Sequence, residues 1–513
     1  MLVKTYGCAI YGVNALLITI EVNVSMGQGY SMVGLPDNAI KESLHRIESA
    51  IKSNGYTMPR TKLVVNLAPA DIRKTGSAFD LPIAIGILSA TEQLTLGDKI
   101  ANYLIMGELS LDGSILPIHG VLPIALKARE EKFDGIVVPK QNAQEAVLVN
   151  GLKVFGISNI TEIIQFFNYG ESSIQQEVLL PKIKKTNVHS DFDFADVKGQ
   201  ENIKRSLEIA AAGGHNAILI GPPGSGKTML AKRLTSILPP LNLEEALETT
   251  KIHSICGKLP PQQAILEDRP FRSPHHTISD IALVGGGGFP QPGEISLAHH
   301  GVLFLAELPE FKRTVLEVMR QPMEERKITI SRAKLSIEFP ANFMLIAAMN
   351  PCPCGFFNHP EKDCHCPPIL VQKYLNKVSG PLLDRIDLHV EVTPVPFQQL
   401  QQQRKGEPSS IILQRILEAR EIQNERFKDF PDIYTNANMS NQLIFEFCQM
   451  NETSSRLLKM AMEKLQLSAR AYNRILKVSR TIADLSKSKD VLTEHIAEAI
   501  HYRSLDRENW GER

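Results

Sequence analysis

The sequence lacks an excess of charge of either sign, a long apolar run and a signal peptide. Lysine plus arginine and aspartate plus glutamate number 56 each, so whole-chain electrostatics argue neither for nor against nucleic acid binding. No apolar run reaches the roughly 18 residues of a membrane span. The N-terminus has no long apolar core and no small-residue cleavage site. We therefore expect a cytoplasmic protein without membrane contact.

Cysteine is also sparse, with seven residues in the chain. In the cytoplasm such residues are thiols or metal ligands more often than disulfides. Four of them cluster near His359 and His365: Cys352, Cys354, Cys364 and Cys366. Tight clustering suits tetrahedral Zn²⁺, although C-x-C spacing is less diagnostic than C-x₂-C. Reduced thiols in a loop are the alternative. A bound zinc would hold the loop in place and would not be catalytic.

A chain of 513 residues exceeds what one hydrophobic core usually supports. Residues 1–168 alternate strand and helix patterns, which predicts a compact α/β domain. Residues 169–196 are polar and lack periodicity, as is typical of a linker. Residues 197–395 alternate helices with buried strands, which predicts a parallel sheet between helices. In residues 396–513 a polar hinge precedes several helical stretches, so a C-terminal helical domain is expected.

A phosphate-binding loop follows the predicted strand at residues 217–220. Its sequence, GPPGSGKT, fits G-x-x-x-x-G-K-[ST] and opens a helix, which is the context that the motif requires. Backbone N–H groups would hold the phosphates, Lys227 would reach the β and γ oxygens, and Thr228 would bind Mg²⁺. ATP and Mg²⁺ are the expected cofactors. The predicted ATP-binding residues are Gly221, Pro222, Pro223, Gly224, Ser225, Gly226, Lys227 and Thr228.

The stretch GVLFLAELPEF, residues 301–311, is where a nucleotide hydrolase would carry two successive acids for the metal and the attacking water. Here the first position is Ala306, and only Glu307 remains. Because neighbouring strand residues point to opposite faces, Glu307 is not expected to replace the carboxylate beside Mg²⁺. We expect Glu307 to orient the water, nucleotide binding to persist and hydrolysis to be weakened.

Several strings together resemble the YifB/ComM family of magnesium-chelatase-like AAA+ ATPases. They are GPPGSGKT, FRSPHHTIS (271–279), GGGGFPQPGEISLAHHGVLFL (285–305), AAMNPCPCG (347–355) and SGPLLDRIDLHVEV (379–392). The resemblance implies an AAA+ P-loop core with a helical lid and a homohexameric ring with ATP at the subunit interfaces. It also implies a helicase-like motor for DNA branch migration in recombination or natural transformation.

The same resemblance implies roles for individual side chains outside the phosphate loop. Asn350 matches sensor 1, which helps to place the lytic water. Arg385 matches the arginine finger that one subunit supplies to its neighbour. Arg470 matches sensor 2, with Arg474 as the second choice. The family's acid strand ordinarily reads FLDE where this chain reads FLAE, and this departure puts hydrolysis in doubt more than binding.

The N-terminal domain resembles the Lon-protease fold, of the S5 domain 2-like type, in residues 33–43, 66–88 and 107–128. Lon proteases use a serine that a nearby lysine deprotonates. The resemblance aligns Ala78 with this serine and Leu122 with this lysine, so we expect no proteolysis. Ser77 and Lys127 are the nearest residues that could restore a dyad. A scaffold or a DNA-facing ring is the expected role.

Residues 327–338 contain two alternating runs joined by Arg332 and Ala333, which predicts a β-hairpin. Ring helicases related to the resembled family direct such a hairpin into the central pore. Arg332 and Lys334 would contact DNA phosphates there without reading sequence. An ordinary solvated hairpin tip is the alternative.

The favoured function is therefore an ATP-driven ring motor on branched or single-stranded DNA. A nucleotide-gated ring that binds DNA without hydrolysis remains open because of Ala306. A magnesium-chelatase-type motor is a second alternative, although such motors lack the Lon-like domain. A Lon-like peptidase is disfavoured by Ala78 and Leu122.

Overall fold

The computed structural model describes residues 1–94, 97–178, 192–260, 263–288, 290–332, 335–357, 359, 361–396, 406–430 and 433–503. Residues 179–191 of the expected linker and residues 397–405 of the expected hinge lie outside them. Contacts divide the chain into two compact units. Unit 1 comprises Met1–Lys184, Asn242–Glu267 and Ser331–Glu338, and unit 2 comprises Lys185–Leu241, Asp268–Ile330 and Phe339–Arg513.

The strands of the described ranges are short, apart from two long ones at the N-terminus. They are β1 (Leu2–Tyr11), β2 (Asn14–Ser25), β3 (Tyr30–Val33), β4 (Lys62–Ala68), β5 (Tyr103–Ile105), β6 (Glu108–Leu109), β7 (Ile115–Leu116), β8 (Gly135–Pro139), β9 (Lys153–Ile157), β10 (Ala217–Ile220), β11 (Phe271–Arg272), β12 (Gly285–Gly286), β13 (Gln291–Pro292), β14 (Val302–Leu305), β15 (Lys327–Arg332), β16 (Leu335–Pro340), β17 (Met344–Met349) and β18 (Leu388–Glu391).

The longest α-helices of the same ranges are one near the N-terminus, with 16 residues, and two in the C-terminal region, with 19 and 17 residues. In chain order, the α-helices are α1 (Asn38–Ser53), α2 (Asp80–Ala90), α3 (Val121–Glu130), α4 (Ala143–Ala146), α5 (Ile160–Tyr169), α6 (Glu201–Gly213), α7 (Lys227–Arg233), α8 (Leu243–Ile255), α9 (Asp280–Val284), α10 (Glu294–Leu297), α11 (Arg313–Val318), α12 (Arg320–Glu325), α13 (Pro368–Leu375), α14 (Gly380–Leu383), α15 (Ser409–Phe427), α16 (Asn441–Phe447), α17 (Glu452–Leu465), α18 (Ala469–Leu485) and α19 (Thr493–His501). None of them is both long enough and apolar enough to cross a membrane.

Unit 1 is built on a mixed sheet that has seven strands in its described part, in the order β3-β4-β2-β1-β5-β8-β9. β1 and β2 pair antiparallel, whereas β1, β5, β8 and β9 run parallel. α2 packs on β1 and β2 and is buried at every residue. Its sequence DLPIAIGILSA has almost no polar side chains, as expected of a helix that is surrounded by the core.

α8 belongs to unit 1, although its sequence lies inside the range expected for the AAA+ core. Asn242 and Glu245 form a reciprocal capping box that begins the helix. α8 packs against α3, where the Ser254 hydroxyl donates to the Glu145 carboxylate and the Gly120 N–H donates to the Ser254 carbonyl. The segment 242–267 therefore belongs to unit 1, although the segments before and after it belong to unit 2.

Unit 2 contains a sheet whose described strands follow the order β11-β14-β17-β10-β18, and all of its pairings are parallel. β10, β14 and β17 read AILI, VLFL and MLIAAM and are buried at every position. Continuous apolar runs are typical of parallel strands that are covered on both faces. The carboxyl ends of these three neighbouring strands meet at one edge, where ligands bind in open α/β sheets.

The C-terminal helices share a hydrophobic core with this sheet. Ile416 of α15 and Ile475 of α18 belong to the same buried cluster as Leu219, Ile346 and Leu388 of the sheet. α15 to α19 lie in the region where several helical stretches were predicted. The mixed α/β architecture, with a parallel sheet and a helical C-terminal region, agrees with the sequence prediction.

Candidate functional site

A cavity of about 640 Å³ opens at the carboxyl edge of the parallel sheet in unit 2. The turns after β10, β14 and β17 and one side of α13 form its walls. Its lining residues are Pro223, Gly224, Lys227, Thr228, Ala306, Glu307, Glu310, Ala348, Met349, Asn350, Pro353, Leu370, Lys373, Tyr374 and Lys377. The strand order brings these segments together, because β17 lies between β10 and β14.

The phosphate loop joins β10 to α7 and forms one wall of the cavity. Gly224 and Gly226 have φ of 76° and 88°, a backbone region that favours glycine. At Gly221 an added Cβ would lie 2.3 Å from the Val392 carbonyl oxygen, so no side chain fits there. The space around Gly224 is open, with no atom within 4 Å of an added Cβ. The loop therefore packs closely against the chain at Gly221 and is open to the cavity at Gly224, where a phosphate would lie.

Lys227 is half-buried at the start of α7, and its Nζ folds back over the loop. It donates to the carbonyl oxygens of Gly221 at 2.6 Å and Pro222 at 2.8 Å, and to Asn350 Oδ1 at 3.2 Å. Burial lowers the pKa of Lys227 to about 8. An anion in the cavity would favour the charged ammonium. Together with the exposed Thr228 hydroxyl one position on, these groups fit a nucleotide phosphate with Mg²⁺.

The acid segment corrects one step of the sequence reasoning. β14 ends at Leu305, and Glu307 lies in a turn with φ 59° and ψ 49°. Strand alternation therefore does not apply to Ala306 and Glu307, and both residues line the cavity. A left-handed backbone at a residue other than glycine is strained, and such strain concentrates at functional sites. The Glu307 side chain is 65% exposed, so its carboxylate faces solvent within the cavity.

His276 is a partner of Glu307 that the sequence analysis did not single out. Its Nδ1 lies 3.3 Å from Glu307 Oε2, and its ring makes an edge contact with Phe311. The neighbouring ring of His275 packs against it at a tilt of 33°, with centroids 4.1 Å apart. The only available signal was the string FRSPHHTIS, which the analysis used for the family resemblance alone.

Asn350 follows β17 directly and lines the cavity between the phosphate loop and the acid segment. Its Oδ1 accepts from Lys227 Nζ, so it contacts the phosphate loop from the side of the acid strand. Asn350 therefore shares the cavity with Glu307 while it contacts the phosphate loop through Lys227. The structure thus brings Lys227, Thr228, Glu307 and Asn350 into one cavity.

α13 supplies lining residues that the sequence analysis also missed. Lys373, Tyr374 and Lys377 lie on or just beyond this helix and face the cavity. Lys377 Nζ lies 3.3 Å from Glu310 Oε1 and 5.6 Å from the centroid of the Tyr374 ring. The cationic side chains of this wall suit a polyanionic ligand. Without the tertiary structure, QKYLNK resembles any amphipathic helix end.

The predicted arginines do not line the cavity. Arg385 is 5% exposed and pairs with Glu324 at 2.6 Å, and its Nε has no hydrogen-bond partner among the described residues. Arg470 is exposed on the first turn of α18. Arg474, the second choice for sensor 2, pairs with the buried Asp387 at 2.9 Å. In this structure Arg474 therefore forms part of a buried ion pair and does not contact the cavity.

Comparison with known proteins supplies the family. Three family models match: "Subunit ChlI of Mg-chelatase" over residues 20–142, "Magnesium chelatase, subunit ChlI" over 193–400 and "Magnesium chelatase, subunit ChlI C-terminal" over 406–503. The competence protein ComM of Haemophilus influenzae is 43% identical over 509 residues, which cover 98% of this chain and 97% of the relative. The YifB protein of Salmonella typhimurium is 44% identical over 503 residues, with 97% and 96% covered. The chain belongs to the YifB/ComM family of magnesium-chelatase-like proteins.

Membership of this AAA+ family implies ATPase activity that uses ATP and Mg²⁺. Lon protease 2 of Bacillus subtilis is also similar, with 26% identity over 178 residues that cover 31% of this chain and 31% of the relative. The family models and the full-length relatives confirm the resemblance to the YifB/ComM family that the motifs predicted. The likeness to Lon is weak by comparison.

In this member of the YifB/ComM family, the residues nearest to a Ser-Lys dyad have other partners. The Ser77 hydroxyl donates to the Glu108 carboxylate. Lys127 pairs with Glu131 at 2.7 Å and with Glu130 at 3.2 Å. Neither residue contacts the other, so the geometry does not support a peptidase centre here.

The structure describes the four clustered cysteines fully, but it describes the predicted DNA-contact residues of the hairpin only in part. The cluster Cys352, Cys354, Cys364 and Cys366 comes together in unit 2. β15 and β16 form a separate two-stranded sheet where the hairpin was predicted. Lys334 lies outside the described residues, and for Arg332 only the backbone is described. The predicted DNA contacts therefore stay predictions.

Proposed function

We propose that this protein is an ATP-driven ring motor that acts on branched or single-stranded DNA, with hydrolysis weakened by Ala306. The observation that carries the proposal is the cavity that Lys227, Thr228, Glu307 and Asn350 share at the edge of the parallel sheet. Full-length similarity to a protein named for competence supports DNA as the substrate. Branch migration in recombination or natural transformation is the proposed process.

Each cavity residue has a role that its position supports. Bound ATP with Mg²⁺ would supply the phosphoryl group and the cation that neutralises its charge. Lys227 and the backbone N–H groups at the start of α7 hold the phosphates, and Thr228 takes the metal side. Glu307 orients the attacking water, and Asn350 holds that water between the acid and the phosphate loop. The remaining requirement is charge stabilisation from a neighbouring subunit.

The proposed homohexamer would meet this requirement through Arg385. In the single chain the guanidinium is buried against Glu324. Reaching the nucleotide of a neighbouring subunit would require it to leave this ion pair. Arg470, exposed on α18, remains the proposed sensor 2 because Arg474 is paired with Asp387.

Ala306 determines how fast the proposed motor runs. An aspartate at this position would place a carboxylate in the cavity that Thr228 also lines, where it would help to hold Mg²⁺. Ala306→Asp is expected to raise steady-state ATP hydrolysis about tenfold, because an ordered Mg²⁺ stabilises the transition-state charge. The measurement compares both chains with and without a four-way DNA junction, which is expected to stimulate each of them.

Lys227→Ala, in both backgrounds, is the control that should abolish turnover. Hydrolysis by the Ala306→Asp variant alone would favour a nucleotide-gated DNA-binding ring for the chain as it stands. Turnover without any response to DNA would contradict the DNA motor. It would leave a magnesium-chelatase-type motor, in which the work is done on a protein partner.

His276 is expected to position Glu307. His276→Ala should lower kcat for ATP about fivefold and change KM less than about twofold, since the carboxylate loses its partner while the phosphate loop is unchanged. His275→Ala is the matched control, because His275 contacts Thr277 and the His276 ring, whereas the Glu307 carboxylate pairs with His276. Equal effects of the two substitutions would contradict a specific role for His276.

A further inference from the structure

The four clustered cysteines are placed as ligands of one ion. Cys352 Sγ lies 3.3 Å from Cys354 Sγ and 3.7 Å from Cys364 Sγ, and the Sγ atoms of Cys354 and Cys364 are 3.6 Å apart. All four sulfur atoms, including that of Cys366, lie within 4.8 Å of one another. Three of these residues are partly buried and Cys352 is fully buried. A single point can therefore be close to all four sulfurs.

These distances exclude a disulfide and fit a tetrahedral metal. A disulfide would need sulfurs about 2.05 Å apart. With Zn–S bonds of about 2.3 Å, the sulfurs of a tetrahedral site lie about 3.8 Å apart. The separations of 3.3, 3.7 and 3.6 Å among Cys352, Cys354 and Cys364 are close to that value. The Phe357 N–H also donates to Cys352 Sγ at 3.4 Å, the type of hydrogen bond that orients a metal ligand.

The nearby histidines do not compete for the site. His359 Nδ1 accepts from the backbone N–H groups of Glu361 and Lys362, both at 3.0 Å. His365 is exposed. Among the described residues, only the four cysteine sulfurs lie close enough together here to bind one ion.

We propose that Cys352, Cys354, Cys364 and Cys366 bind one structural Zn²⁺. Four protein ligands leave no open position for water or substrate, so the ion is not catalytic. Thiolate ligands select zinc or iron among the common metals. One tetrahedral point between four sulfurs suits a single zinc ion.

The zinc site adjoins the nucleotide cavity along three segments. Cys352 lies two residues after Asn350, so the ion would hold the chain that carries this side chain. An added Cβ at Gly355 would lie 2.4 Å from Pro223 Cδ, which shows how closely the cysteine loop meets the phosphate loop. Val371 and Leu375 of α13 pack on the cysteines, and Tyr374 of the same helix lines the cavity.

The ion is therefore placed to set the shape of the cavity wall. Losing it would free the loop between Asn350 and α13, on which two sides of the cavity depend. This part of the inference depends on the proposed nucleotide binding. The presence of the ion does not depend on it, and the two are tested separately.

The first test measures metal in the full-length chain, purified without a polyhistidine tag. Elemental analysis is expected to find about one zinc per chain and almost no iron. The variant Cys364→Ser with Cys366→Ser should retain less than about a tenth of that zinc. Cys256→Ser, which changes a partly exposed cysteine outside the cluster, should retain all of it. Cys366→His keeps a zinc donor and should retain most of it.

The metal analysis can support or overturn the zinc site even if the double variant folds poorly. Iron in place of zinc, or a folded unmutated chain without metal, would overturn the site. Equal zinc in the double variant and in Cys256→Ser would also overturn it. Retention by Cys366→His together with loss in a folded Cys366→Ser would support it.

A second measurement tests the coupling to the cavity. Removing zinc from the unmutated chain with a chelator should weaken binding of a fluorescent ATP analogue about tenfold, and added Zn²⁺ should restore it. Unchanged affinity after zinc removal would overturn the coupling but leave the metal site. Failure of the zinc-loaded chain to bind the analogue at all would count against the proposed function, independently of the metal analysis.

Discussion

Glu307→Gln is expected to lower ATP hydrolysis at least about a hundredfold while nucleotide affinity changes less than about twofold. The substitution keeps the size of the side chain but removes the carboxylate that faces the cavity from its left-handed turn. The phosphate loop, which holds the nucleotide, is unchanged. Single-turnover hydrolysis and equilibrium binding of a fluorescent analogue separate the two effects.

The same substitution is best measured in the Ala306→Asp background as well, because the chain as it stands is expected to turn over slowly. Glu310→Gln is the matched control, since Glu310 lines the same cavity but pairs with Lys377. It should change hydrolysis less than about threefold. Comparable losses of ATP hydrolysis in Glu307→Gln and Glu310→Gln would contradict a specific role for Glu307 in orienting the water.

Asp387→Ala is expected to lower the free energy of unfolding of unit 2 by about 3–5 kcal/mol, because it leaves a buried charge without its partner. Asp387 is fully buried and pairs with Arg474 at 2.9 Å. Its Oδ2 accepts the Asn216 N–H at 2.9 Å and lies 3.5 Å from His215 Nδ1. The pair links α18 to the turn before β18. Hydrogen exchange of the β18 and α18 amides reports this local free energy.

The pH dependence of this contribution follows from the pKa of Asp387. Burial alone would raise the pKa, but Arg474 and His215 outweigh it and hold the pKa well below its ordinary range. The stabilisation is therefore complete above the unfolded pKa of about 3.9 and is lost progressively as the pH falls below it. Asp384→Ala, three positions earlier and only partly buried, should cost less than about 1 kcal/mol. A similar cost for both variants would contradict the buried pair.

Local sequence was sufficient for the buried strands at whose ends the cavity opens and for the phosphate loop. Continuous apolar runs predicted buried strands in this part of the chain, among them β10, and the glycine pattern GPPGSGKT predicted the turn that follows β10. In each case a few adjacent residues determine the backbone, through burial on both faces or through φ values that favour glycine. The C-terminal helices were likewise visible from their periodicity.

Inference from periodicity failed at Ala306 and Glu307. The alternation of side chains holds only while the chain is a strand, and β14 ends at Leu305. A left-handed turn then directs both residues toward one cavity. No pattern in LAELPE indicates a left-handed glutamate, because the surrounding fold imposes that conformation. The pairing of Glu307 with His276 was missed for a related reason, since the two positions are 31 apart in the sequence.

The sequence by itself determined the family, the phosphate loop and several of the strands and helices, since these depend on short runs of residues. Only the tertiary structure decided which distant side chains meet. It placed α8 in unit 1, buried Arg385 against Glu324, joined Arg474 to Asp387 and brought four cysteine sulfurs within ligand distance of one point. Such contacts depend on how strands are ordered and how helices pack, and residue spacing along the chain does not specify either.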